Sequence, residues 1–195
     1  CWVLTDDIYT RLTYENNGEM TNIFTRPGMK DRTIIMDGFS KTYAMTGWRL
    51  GFGIMPQKLA DAVGLLITHS VGCTATFTQI AGIEAIKGPQ DQVEEVLKIF
   101  KKRRDIIVEG LNNIPGITCR YPQGAFYVFP NIKSFGISSD KMANYLLQEA
   151  GVSLLPGTAF GNMGEGYLRL CYANSIPAIE KALKKIKKAL VKLNT

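Results

Sequence analysis

Residues 38 to 51 read Gly-Phe-Ser-Lys-Thr-Tyr-Ala-Met-Thr-Gly-Trp-Arg-Leu-Gly, and no other stretch limits the fold and chemistry of this chain as much. An apolar run, Thr33-Ile34-Ile35-Met36, leads into it as a buried strand and meets a turn signal at Asp37-Gly38. Ser40 and Lys41 follow, and a second turn at Gly47 delivers Arg49 at the head of another apolar strand running to Met55. A lysine and an arginine thus leave one sheet close together. Lysine is a compact amine that can lose its proton when partly desolvated and then attack a carbonyl, whereas arginine stays charged and forks onto phosphate or carboxylate.

An amine for an imine and a fork for a phosphate fit one ligand, pyridoxal phosphate. The plainer alternative is a solvated loop lysine beside a strand-edge arginine. Spacing favours the ligand: Gly38-Phe39-Ser40-Lys41, Ala44-Met45, Gly47 and Arg49-Leu50-Gly51 resemble the lysine attachment signature of class I and II aminotransferases. Upstream, an apolar strand from Cys1 to Leu4 ends in Asp6-Asp7-Ile8-Tyr9, and ligands of open α/β sheets collect beyond the carboxyl ends of strands. By itself this run reads as a helix N-cap. Placed before the lysine signature, it resembles the Asp-x-x-Tyr pair of the same enzymes, with Asp6 as the aspartate and Asp7 the second candidate.

That resemblance covers Asp6 to Arg169 and implies the carboxyl-terminal half of a fold-type I, pyridoxal-phosphate-dependent aminotransferase similar to aspartate aminotransferases. The fold class it implies is α/β: an incomplete, mostly parallel sheet of the large domain over residues 1–89, then a small α+β domain over 90–195 whose first helix bridges the two. It further implies that Lys41 forms the imine with the cofactor, that Asp6 pairs with the ring nitrogen and Tyr9 with the ring oxygen, and that Arg49 and Ser40 bind the phosphate. Arg169 would clamp the substrate α-carboxylate, and Phe126 would line its pocket. The activity implied is transfer of an amino group between an amino acid and a 2-oxo acid, by a cytoplasmic protein that is a homodimer when complete. Gly38 stands where some relatives carry a phosphate-binding serine. Between Lys58 and Lys87 the only basic-type residue is His69, so a distal-carboxylate arginine is not expected there.

Residue by residue, Arg169 also has a plain reading, since alternation puts it opposite Leu168 and Leu170 and hence toward solvent. Phe126, an aromatic in a predicted strand, reads as core. Helical spacing is predicted over 57–68, 74–86, 90–113, 139–150 and 176–193, and strands over 117–121, 124–129, 152–155 and 167–172. The apolar opening, without initiator methionine or cap, leads us to expect a chain that begins inside a domain.

Composition narrows the rest. With 195 residues, 46% of them hydrophobic, the chain can bury a sizeable core. No apolar run is long enough to span a bilayer. Four singly placed cysteines and one histidine offer no metal-ligand spacing, and free thiols in a reducing compartment are expected. A net charge of +6 raises nucleic acid or an anionic surface as partners, but much of the excess sits at 181–192 in the last helix. We expect that helix to pack its apolar face on the sheet rather than lie on a membrane, and the basic run at 101–104 to be a solvated helix face. Three rival functions remain: a carbon–sulfur lyase or cyclase of the same fold, a regulator that kept the aminotransferase fold as a sensor, and a basic binding module.

Overall fold

The structure is a computed structural model that describes residues 1–15 and 22–193. The turn expected at Asn16-Asn17-Gly18 lies outside the described residues. The chain divides into two compact units, Cys1–Leu97 and Lys98–Thr195.

The first unit holds a three-stranded sheet in the order β1-β2-β3. Strand β1 (Val3–Asp6) and strand β2 (Thr33–Gly38) run parallel with Val3 opposite Thr33 and Asp6 opposite Met36, so their carboxyl ends coincide. Strand β3 (Gly51–Ile54) runs antiparallel to β2, with Gly51 opposite Gly38. The turn read at Asp37-Gly38 is instead the end of β2. Gly38 is required there by close approach: a Cβ on it would meet the Leu50 carbonyl oxygen at 3.0 Å and Gly51 Cα at 3.1 Å. The short helix α1 (Phe39–Thr42) starts at the next residue, anchored by Phe39 N–H donating to the Leu50 carbonyl at 3.2 Å. Helices α2 (Gln57–Ser70) and α3 (Thr76–Lys87) follow where the spacing predicts them.

Burial departs from expectation in this unit. The strands have the all-apolar pattern of a covered sheet, yet Leu4 is 69% exposed and every residue of β3 is exposed. Helix α2 buries none of its residues. Among the described residues of this unit, the buried apolar side chains are Leu12, Phe39, Met45 and Val93.

Helix α4 (Asp91–Asn112) carries the chain across the division into the second unit. There β4 (Tyr127–Val128), β6 (Leu168–Cys171) and β5 (Leu155–Pro156) form an antiparallel sheet with β6 in the centre. Helix α5 (Ser139–Ala150) begins at an N-cap Ser138, whose hydroxyl accepts from Lys141 N–H, and stops at Gly151 with φ +60°. Helix α6 (Ile176–Leu193) buries Ile179, Ile186, Ala189 and Leu190, as expected of a helix packed by its apolar face. With Leu111, Val128, Ile132, Met142, Leu146, Leu168 and Leu170 these form a closed core. No described helix is long and apolar enough to cross a membrane.

Three readings are corrected here. The strand predicted at 117–121 reduces to one bridge, Thr118 to Asn131, and that at 124–129 to Tyr127–Val128, because Ala125 turns left-handed at φ +57° and Pro130 has no N–H to continue the ladder. The run at 101–104 is only partly solvated. Arg104 is buried, ion-paired to Asp105 at 2.7 Å and donating to the Pro122 carbonyl at 3.2 Å.

Candidate active site

In the first unit, the joint carboxyl ends of β1 and β2 set out the candidate residues. Asp6 and Asp7 leave β1 together and meet different fates. Asp7 is buried, with one carboxylate oxygen accepting from the Thr5 hydroxyl at 2.6 Å and the other from the Asn22 amide. Its backbone carbonyl also receives the N–H and hydroxyl of Thr10 at 2.8 and 2.5 Å. Asp6 is exposed, and its carboxylate accepts from Ile8 N–H at 3.3 Å. A carboxylate facing outward can meet a ligand, whereas one consumed by its neighbours holds a turn. Three residues beyond Asp6, the Tyr9 ring centroid lies 6.0 Å from Lys41 Nζ, which puts phenol and amine side by side at the end of the sheet.

Lys41 and Ser40 sit half-buried on α1, and the segment leading on to Arg49 is built from unusual backbone. Ala44 (φ +53°) and Arg49 (φ +55°) are both left-handed without being glycine, a conformation disfavoured for L-residues that concentrates at functional sites. Thr46 ties this segment together: its hydroxyl donates to the Ser40 carbonyl at 3.0 Å, and its own carbonyl accepts from Arg49 Nη1 at 2.9 Å. The sequence placed Arg49 in a strand; it is instead the bend before β3, with an exposed guanidinium. Arg49 also lines an open cavity of about 630 Å³ with Trp48, Thr74 and Phe77. On β2, burial raises the Asp37 carboxyl above its ordinary value; the Gly38 N–H it accepts at 2.6 Å pulls it down, and the charges of Asp7 and Asp6 push it up again.

In the second unit the candidate is Arg169, on the central strand. Leu168 and Leu170 are buried, and Arg169 takes the other face, half-exposed. That much matches the plain reading, but the guanidinium is not simply solvated. Its Cζ lies 4.4 Å from the Tyr127 ring centroid and 4.1 Å from that of Phe160. Phe160 belongs to the turn of 3-10 helix at Gly157–Phe160, and neither ring was singled out by sequence reasoning. Strand register alone could have suggested Tyr127, which pairs with Cys171, two residues along the same face. Among the described residues the Arg169 guanidinium has no hydrogen-bond or ion-pair partner, so its N–H edge is unspent. Phe126 is half-buried, stacked on Phe100 at 5.4 Å and tilted against Tyr127 at 4.9 Å.

A lysine beside a phenol at the carboxyl end of a parallel strand pair, an outward carboxylate at the end of the same strand as the phenol and a guanidinium on a strained bend are side chains that could hold an aldehyde-bearing, phosphorylated cofactor. Comparison with known proteins agrees. The sequence profile of the family described as "Aminotransferase class I and II" matches residues 1–186, and the chain belongs to that family. The aspartate aminotransferase of Pyrococcus horikoshii is 44% identical over 191 residues, covering 97% of this chain and 48% of that protein. Aromatic-amino-acid aminotransferase 2 of Thermococcus litoralis is 37% identical over 190 residues, 96% of this chain and 48% of that one. The crystal structure of the aromatic aminotransferase from Pyrococcus horikoshii superposes with a TM-score of 0.95 at 36% identity, covering 99% of this chain and 52% of that one. The chain thus spans about half the length of the curated relatives it matches. Members of this family depend on pyridoxal phosphate.

Proposed function

We propose that the protein carrying this chain is a pyridoxal-phosphate-dependent aminotransferase moving an amino group between an amino acid and a 2-oxo acid. The observation that carries the reading is the pairing of Lys41 with Tyr9, 6.0 Å from amine to ring, at the coincident ends of β1 and β2. The residues present suit the group by charge and type. Asp6 offers an outward carboxylate to a ring N–H, Tyr9 a hydroxyl to a ring oxygen, Arg49 a fork and Ser40 a hydroxyl to a phosphate. A serine at position 38 would crowd the Leu50 carbonyl, so no phosphate contact is assigned there.

When bound, pyridoxal phosphate supplies an electron sink that makes the substrate α-proton removable. With the cofactor bound, the Lys41 amine would hold its aldehyde carbon at rest and, once displaced by the incoming amino group, would carry a proton between the substrate α-carbon and that aldehyde carbon. Asp6 holds a proton on the ring nitrogen. Arg169 receives the substrate α-carboxylate on its unspent N–H edge, and Phe126 lines the side-chain pocket. In this reading residues 1–89 are the end of the large cofactor domain and residues 90–195 the small domain. We place the complete protein as a homodimer in the cytoplasm; the free Cys1, Cys73, Cys119 and Cys171 suit a reducing compartment. For the dimer the support is family resemblance alone.

Incubating the full-length protein with pyridoxal phosphate, reducing with borohydride and mapping the modified peptide by mass tests the reading. Label on Lys41, lost in Lys41→Ala together with turnover, is the expected result. Label scattered over surface lysines, or none, would refute it. Sedimentation of the same preparation checks the dimer.

A further inference from the structure

We propose that Phe160 and Tyr127 are positioning residues that turn Arg169 into an edge-on reader of planar carboxylates and exclude tetrahedral anions from that position. The inference rests on the reading of Arg169 as the carboxylate clamp and adds the groups that set its selectivity.

Strand β6 is flanked by β4 on one side and β5 on the other. Tyr127 comes from β4, and Phe160 from the turn that continues β5, so the two rings reach the Arg169 guanidinium from opposite neighbours. At 4.4 and 4.1 Å from Cζ, the guanidinium lies over both rings, and guanidinium groups stack flat on aromatic faces at such range. A guanidinium carries all its N–H bonds in its own plane. With rings against its faces, the remaining approach is along that plane, where a flat carboxylate makes two parallel hydrogen bonds. A phosphonate or sulfonate presents three oxygens about a tetrahedral centre, and the oxygen outside the plane would press on a ring.

The rings are themselves held. Phe160 packs edge-on to Phe129 at 6.1 Å, and Phe129 stacks on Tyr167 at 5.5 Å. The turn bearing Phe160 is fastened twice at its start: Gly157 N–H donates to the Tyr167 carbonyl at 2.8 Å, and the Thr158 hydroxyl to Asp140 at 3.0 Å. Gly157 and Gly164 lie so close that a Cβ on either would collide with the other's backbone. Ser139 braces the far side, its hydroxyl accepting from Gly166 and Tyr167 N–H at 2.9 and 3.2 Å. The arginine is therefore stacked against a fixed aromatic frame rather than a mobile loop.

The test uses the full-length holoenzyme, with the proteinogenic L-amino acid giving the highest turnover as donor and its 1-aminoalkylphosphonate counterpart as competitive inhibitor. Phe160→Leu and Tyr127→Leu are each expected to raise donor KM about 10-fold with kcat within about 2-fold, the signature of lost uniform binding. The preference for donor over phosphonate should fall by a similar factor, and Phe160→Tyr should restore both. Partial unfolding lowers kcat without changing a ratio of affinities, so that ratio isolates the positioning role. Arg169→Lys separates the two layers. If it leaves KM unchanged, or if no amino acid is turned over, the clamp reading fails and this inference with it. If Arg169→Lys raises KM while the leucine variants change neither KM nor the ratio, only the aromatic frame is overturned.

Discussion

The two units are of similar length but bury their apolar residues very differently. In the second, Leu111, Val128, Ile132, Met142, Leu146, Leu168, Ile186 and Leu190 are all at 2% exposure or less. In the first, Leu12 is the one large apolar side chain among the described residues buried to that degree, while Leu4, Leu65, Leu66, Phe77 and Ile80 are each more than 60% exposed. The difference is one of partners, not of composition: the strands and helices of the first unit have the sequence of elements covered on both faces. Local structure there follows from pattern and pairing, whereas stability in the second unit follows from burial.

Substitutions should expose that contrast, the core of the second unit giving the largest effect. Leu111→Ala or Ile186→Ala should cost about 2–5 kcal/mol by urea unfolding of this chain, while Leu66→Ala in α2 should stay within about 0.5 kcal/mol. Equal losses would mean that the first unit has a core after all. Next comes the pair of neighbouring aspartates. Asp7→Ala strands Thr5 and Asn22 and should cost about 1–3 kcal/mol; Asp6→Ala should leave the unfolding midpoint where it is and instead weaken cofactor binding in the full-length protein. A stability loss at Asp6 would remove it from the site.

Smaller effects follow from titration. Burial raises the Asp37 carboxyl in the folded chain, so the fold binds that proton more tightly than the unfolded chain does. The resulting stability is fully present below the ordinary value of 3.8 and is lost as pH rises through the folded-state value. Asp37→Asn, which keeps the acceptor for Gly38 N–H, should therefore be the more stable protein at pH 7, with the advantage vanishing in acid. Measuring unfolding midpoints of both proteins across pH decides it, and a variant less stable at pH 7 would reverse the assignment. The smallest expected effect is on thiol reactivity. Burial pushes the Cys119 thiol up to about 11, against a hydrogen bond with Phe129 that lowers it, so Cys119 should alkylate well after the exposed Cys1, Cys73 and Cys171 at pH 8. Equal alkylation rates would show the second unit opening readily.

Helices were legible in the sequence because their signals are local. Ser138 and Gly151 bracket α5, Gly88-Pro89 closes α3, and the stripe through Ile179, Ile186 and Leu190 fixes α6. Strand limits were not, because a ladder depends on its partner and on backbone angles: Ala125 and Pro130 cut β4 to two residues, and Asp37-Gly38, a turn signal by composition, is held in the strand by the approach of Leu50. The candidate lysine, aspartate, tyrosine and arginines were all visible as motif positions. What surrounds them was not. The consumption of Asp7 by Asn22, the bridge through Thr46 and the rings of Tyr127 and Phe160 on Arg169 depend on contacts between residues that no spacing rule connects.

The close approach of Gly157 and Gly164 has a practical meaning for anyone who would redesign this protein. Since neither position accepts a side chain without parting the two backbones, the path of the intervening segment is fixed, and only what projects from it can vary. A library aimed at new selectivity would waste its diversity on loop length, on these two glycines or on Gly161 at φ +114°; the productive variables are the identities of residues 158 to 160, 162 and 163, with Phe160 first among them.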